Sequence, residues 1–515
     1  MRRAVAILAI LALILAPMPA VRVRATTLAA LPQAESPVTC GKPDDPGLIV
    51  YLDVEDNRAT PEAEGIKSAV VIFAPDGTEK QRVPLQDVPN LYPLGVGCSL
   101  LVGGIDPGPF LLEPASGTTH PLAVPDGYDD SLFPFFAWQR TYQERRWAFL
   151  SDAQVTHALL TDTETGNTVD LESLVRHLRG DESKVVVMFG LALSSDESSF
   201  LIMTDVDTWV VTTADPTQAR QLPAAVPGRA AFSEDGTKIL YAAETGNETS
   251  DIVVENLDGS GRTVLAKADK RPIAVWIPGS AGREVLILRA IGDQVSVLDV
   301  EDGTERAIPV SLPGPVAGQP MFSPSGRQVL LRTQEDETAW TLVDLIEGTG
   351  ATLDELAGYA FPYAPYAPGV RWLQFFPSDT PRVEPGTSIM GLDLETGAVR
   401  PLLTFDIEEP YAGILNFSNL GSSPDGRFVA VNDLGSDYPR FWLVDAKLGT
   451  ATLYDDRIAG SFSPDGHSLV VSEPAGAEND RLWRTLIMSV DGKDVRTLAE
   501  SLGRGGFWLP GTHTR

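Results

Sequence analysis

The stretch F-S-P-D-G-H-S-L-V-V, residues 462–471, decides the fold. Phe462 ends one apolar run. Pro464 fixes φ at the first central turn position, Asp465 is placed to hydrogen-bond the local backbone, and Gly466 accepts a positive φ. Leu469, Val470 and Val471 then predict a short buried strand. One such hairpin is commonplace, but this one recurs. F-S-E-D-G-T-K-I-L-Y occupies 232–241, F-S-P-S-G-R-Q-V-L-L occupies 322–331, and S-S-P-D-G-R-F-V-A-V occupies 422–431, with looser copies at 193–202 and 277–286.

A second kind of hairpin alternates with the first. It turns on Asp-Gly, Thr-Gly or a related pair, as in Q-V-S-V-L-D-V-E-D-G-T-E-R-A-I (294–308) and S-I-M-G-L-D-L-E-T-G-A-V-R-P-L (388–402). Ten of these outer hairpins are legible, beginning with the turn at Gly77 and ending with the one at Gly492. The 415 residues between those glycines make nine steps of about 46, the length of a four-stranded propeller blade. Such a sheet cannot bury both faces alone, so the units must pack on one another in a ring. The expectation is therefore an all-β chain, a β-propeller of four-stranded blades. Ten units are counted; seven or eight blades, or two smaller rings, are the alternatives. The first unit begins at its second strand, 48–53, and G-G-F-W-L-P-G (505–511) reads as an inner strand with nothing after it. Phe507 to Leu509 is thus expected to complete the first blade, which closes the ring and removes an exposed edge.

The Phe-Ser-Pro-Asp-Gly hairpins, each followed by an Asp-Gly hairpin, resemble the TolB-type, WD-repeat-like β-propeller repeat. The resemblance covers nearly the whole chain after its first residues, in four good copies and several degenerate ones. It implies a propeller architecture. Propellers of that family serve as protein-binding platforms and as gating or accessory domains of some peptidases. TolB carries an α/β domain before its propeller, and the peptidases append an α/β-hydrolase domain; the sequence shows neither.

The N-terminus reads as a secretion signal, with Arg2 and Arg3 ahead of an apolar run from Ala4 to Ala16 that is short for a membrane span. The expected organisation is a signal peptide over 1–25, an arm over 26–46, the propeller over 47–511 and a tail over 512–515. The destination is the periplasm, the cell envelope or the exterior, with an uncleaved N-terminal anchor as the alternative. No later stretch is long and apolar enough for a transmembrane helix, so the mature chain is expected to lack an integral span. The 515 residues are 43% hydrophobic and 21% charged, with a formal net charge of −30. That charge argues against a nucleic-acid partner, which needs a basic surface. Cys40 and Cys98 are the two cysteines. In an exported chain they are candidates for a disulfide, and two separate thiols is the equal alternative.

Catalytic signatures do not stand out. No G-x-S-x-G elbow, H-E-x-x-H, P-loop or dinucleotide fingerprint occurs, and the five histidines are scattered. Asp53, Glu55 and Asp56, and likewise Asp205 and Asp207, cluster without the spacing of an EF-hand and read as strand-end carboxylates. Two stretches are dense in aromatics. Phe133, Phe135, Phe136, Trp138, Tyr142, Trp147 and Phe149 are interleaved with Arg140, Arg145 and Arg146; packing between blades is their plain reading. The second contains Tyr359, Tyr363, Tyr366 and Trp372 around a Pro-Tyr-Ala-Pro-Tyr-Ala-Pro run, and these four are the candidate ligand-binding residues. No metal or cofactor is called for. The expected function is a monomeric, exported, non-catalytic platform for a protein or glycan. A glycan hydrolase or lyase with carboxylates at the ring axis, and a structural envelope component, are the alternatives.

Overall fold

In a computed structural model, the described residues lie within 48–509, the longer gaps being 57–65, 104–109, 125–132, 135–146, 152–157, 361–370, 378–385, 406–414, 417–422 and 476–481. They form ten antiparallel sheets of four strands each. We number the blades in chain order. Blade one comprises Leu48–Asp56, Ile66–Phe73, Glu79–Leu85 and, from the far end of the chain, Gly506–Leu509. Blades two to ten span 90–121, 133–170, 188–221, 225–268, 273–308, 316–352, 359–404, 415–455 and 458–501. In blades two to ten the strands follow sequence order across the sheet, and the outer strands of blades seven and nine are exposed along nearly their whole length.

The quoted stretch forms the turn that its residues dictate. Gly466 has φ 71°. The Asp465 carboxylate accepts the His467 N–H at 2.9 Å and the Ser463 hydroxyl at 2.6 Å, and the Ser463 oxygen accepts the Ser468 N–H at 2.9 Å. Burial alone would raise the Asp465 carboxyl, but these donors hold it below the usual carboxylate range.

Strands in the middle of a blade are apolar on both faces because each blade packs on two neighbours. In Ser199–Thr204 every residue is buried. Phe200 and Ile202 enter the core shared with blade three, whereas Leu201 enters the core shared with blade five. Ten such cores occur, one at each seam, and the last joins blade ten to blade one. The chain is thus one ring of ten blades, which replaces the smaller counts and the two-ring alternative.

The C-terminal strand closes the ring in the expected register. Leu48 pairs with Leu509, Ile49 with Trp508, Val50 with Phe507 and Tyr51 with Gly506. Trp508 fills the seam between blades ten and one, and its backbone N–H donates to the Ser461 hydroxyl of blade ten at 2.6 Å. At the rim the same joint is held by Arg496, which donates to the Asp76 carbonyl in the outer turn of blade one.

Among the described residues, sequence reading missed a single 3-10 turn, Asp354–Leu356 between blades seven and eight, and the helix Leu171–Arg179 between blades three and four. Its signals are present: Asp170 caps the N-terminus by accepting the N–H groups of Glu172 and Ser173, Gly180 ends it with a left-handed φ of 66°, and Leu171, Leu174 and Val175 are buried toward the sheet core. The expected signal peptide, arm and tail lie outside the described residues.

Candidate functional site

Four consecutive blades repeat one device. Arg283, Arg327, Arg371 and Arg427 each stand immediately before the second strand of blades six to nine. Each meets an Asp at the end of the third strand: Asp299 at 2.6 Å, Asp344 at 2.8 Å, Asp393 at 2.6 Å and Asp445 at 2.8 Å. The other role of each carboxylate is local. Asp344 accepts the N–H groups of Ile346 and Glu347, and Asp445 those of Lys447 and Leu448, which shapes the outer turn. Burial pushes each carboxyl up, but the turn N–H groups and the guanidinium outweigh it, and all four stay below the usual range. The arginine side chains remain 34–56% exposed, so an arc of guanidinium groups is presented on one face of the ring.

The arc is richest at the seam of blades eight and nine. Arg371 grips Asp393 through two parallel bonds, Nε at 2.8 Å and Nη2 at 2.6 Å. The guanidinium groups of Arg371 and Arg400 both lie over the Trp372 ring, 5.2 and 5.3 Å from its centroid. Arg400 also donates to the Ala446 carbonyl of blade nine. Toward the opposite end of the same seam Phe405 meets Trp442 edge to face at 5.2 Å, and Arg440 lies over the Trp442 ring.

The structure separates the two candidate ligand-binding aromatics that it describes. Trp372 belongs to the seam of blades eight and nine, whereas Tyr359 packs in the seam of blades seven and eight, and its carbonyl accepts the Trp340 indole N–H at 3.1 Å. Tyr363 and Tyr366 lie outside the described residues, as do Cys40 and Cys98. In the first aromatic stretch Trp147 and Phe149 are buried in the core of blades three and four, Phe149 against Phe200. Asp53 is paired with Arg82, and Asp207 with Arg179 of the helix by two bonds of 2.8 Å. No group of three or more metal-ligating side chains occurs among the described residues.

One buried acid escaped sequence reading. Glu197 stands where other blades have the turn glycine and adopts φ 58°. Its carboxylate reaches into blade three and accepts the Trp147 N–H at 3.2 Å. The sequence signal is the replacement of Gly by Glu in L-S-S-D-E-S-S. The innermost strands of the blades, such as Met188–Leu193, Ala225–Phe232, Ile273–Trp276 and Ile458–Phe462, contain neither Asp nor Glu, and Arg229 is their one charged residue. An axial carboxylate pair would have to come from the connections.

No protein-family model matches the chain, and no curated protein does. Solved structures do match. TolB from Acinetobacter baumannii is 16% identical, with 65% of this chain and 85% of that chain covered and a TM-score of 0.24. An oligogalacturonate lyase in complex with manganese is 12% identical over 79% of this chain and 98% of that one, with a TM-score of 0.35. A eukaryotic initiation factor is 11% identical over 91% and 100%, with a TM-score of 0.42. What makes this chain a propeller is its own ten sheets and their closed circuit of cores.

Proposed function

We propose that this chain is an exported, non-catalytic, TolB-like platform that binds a protein or glycan partner on the face carrying the arginine arc. The observation that supports this is the row of half-exposed guanidinium groups in blades six to nine, each braced by a carboxylate and therefore held in place before a ligand arrives. Tyr363 and Tyr366 stand a few residues before Arg371 and Trp372 in the sequence, which makes them the aromatic pair to substitute first. Arginine and tyrosine are the side chains that most often anchor partners in interfaces. The enzyme alternative has no carboxylate on the described axial strands to support it.

The test compares the tagged protein with a Tyr363→Ala/Tyr366→Ala variant in capture from the native cell envelope and on a glycan array. One partner retained by the parent protein, and lost by a variant with unchanged melting temperature, is the expected result. Equal capture by both would remove these tyrosines from the surface. Capture of nothing on either medium would remove the platform reading.

A further inference from the structure

We propose that the outer edge of blade nine is a self-association surface, on which a second copy of this chain pairs as an antiparallel strand. Ten outer strands present unpaired backbone at the rim, and most are protected against such pairing in ways that proteins commonly use. Blade one carries Glu79, Lys80, Arg82 and Pro84. Blades five, eight and ten have a shift in register beside the outer strand, together with Lys267, Pro401 and Arg496 respectively. The outer strands of blades two, three and four have three residues, and those of six and seven have four.

Blade nine is different. Its outer strand Thr450–Asp455, T-A-T-L-Y-D, has six residues and an unbroken register from Asp445 with Thr450 to Arg440 with Asp455. It contains no Pro, Lys or Arg, and its one charge is the terminal Asp455. Leu453 on this edge is 42% exposed, and Leu448 in the adjoining turn is 63% exposed.

The hydrogen-bonding phase of the strand selects the pairing. Gly449 donates to the Asp445 carbonyl at 2.8 Å, the same bond that Gly397 makes to Asp393 in blade eight, where Asp393 and Ala398 form the first bonded pair. Asp445 with Thr450 is thus the first bonded pair of blade nine, and Thr452 and Tyr454 continue the bonding inward. Ala451, Leu453 and Asp455 then direct their N–H and C=O groups outward. A two-fold axis at Leu453 matches these groups to their own copies: Leu453 opposite Leu453, and Ala451 opposite Asp455, in both directions. Charge agrees with this register. Exposed Lys447 lies beyond one end of the strand, and exposed Asp455 and Asp456 lie at the other. None of the three is in an ion pair among the described residues. Antiparallel pairing brings each Lys447 toward the acidic end of the second copy. The opposing force is repulsion between two chains of charge −30, which salt screens.

Sedimentation of the purified protein from low to high micromolar concentration, in about 50 mM and about 500 mM NaCl, tests this. The expected result is a reversible monomer–dimer equilibrium, several-fold tighter at the higher salt. Leu453→Pro removes an outward donor without touching a bond inside the blade, and should abolish the dimer. Leu453→Lys covers the case in which the proline variant fails to fold, and should do the same. A monomer under every condition overturns the proposal, as does a dimer that survives both substitutions.

Discussion

Two residues sit where their backbone is costly, for different reasons. Gly492, with φ 71°, forms the outer turn of blade ten, and a Cβ there would lie 2.3 Å from the Tyr454 hydroxyl of blade nine. Gly492→Ala should destabilise the protein by about 1–3 kcal/mol, from strain and from the displaced tyrosine, in denaturant titration. Glu197 accepts the left-handed conformation without being glycine. Replacement by Gly relieves the strain, worth about 1 kcal/mol, whereas Ala retains it, and both lose the bond to Trp147. Glu197→Ala should therefore melt below Glu197→Gly; the reverse order would show that the strain is not there. The Arg371–Asp393 pair gives a pH signature. The Asp393 carboxyl is held below its ordinary value, so its contribution is present above the unfolded value near 4 and fades as pH falls through the folded value. The stability difference between the parent and Asp393→Asn should shrink on acidification over that range in paired melts.

At the scale of elements, turn chemistry was the legible part. All ten outer hairpins read from Asp-Gly, Thr-Gly and their relatives are outer strand pairs in the structure, because those residues set φ locally and need no knowledge of the rest of the ring. The helix Leu171–Arg179 was missed since its strand-like entry, T-V-D-L, continued the blade pattern. Its cap predicts that Asp170→Ala will cost about 1 kcal/mol, read as a lower melting temperature. The seams were illegible. That Arg400 reaches Ala446, or that Tyr359 and Trp372 face different neighbours, depends on blade-to-blade geometry that no local pattern encodes. The candidate site is read from sequence only as a composition of aromatics; the carboxylate-braced arginines beside it emerged from the fold.

For the whole molecule, the joint between blades ten and one decides whether the ring is one cooperative unit. It is fastened at three radii: Trp508 with Ser461 inside, the shared core in the middle, and Arg496 on Asp76 at the rim. Trp508→Ala should cost about 3–5 kcal/mol and loosen both blades it touches, while hydrogen exchange in blade five changes little. Uniform loss of protection around the ring would show instead that the blades unfold together.

The fastening also sets a schedule. Arg496 and Asp76 are 420 positions apart, and Gly506–Leu509 completes a sheet whose other three strands come first in the chain. A ribosome makes those three strands before blades two to ten and the closing strand after them, so while nine blades are synthesised blade one waits with its inner edge open. The protein must therefore be kept from pairing that edge with anything else until its last strand arrives.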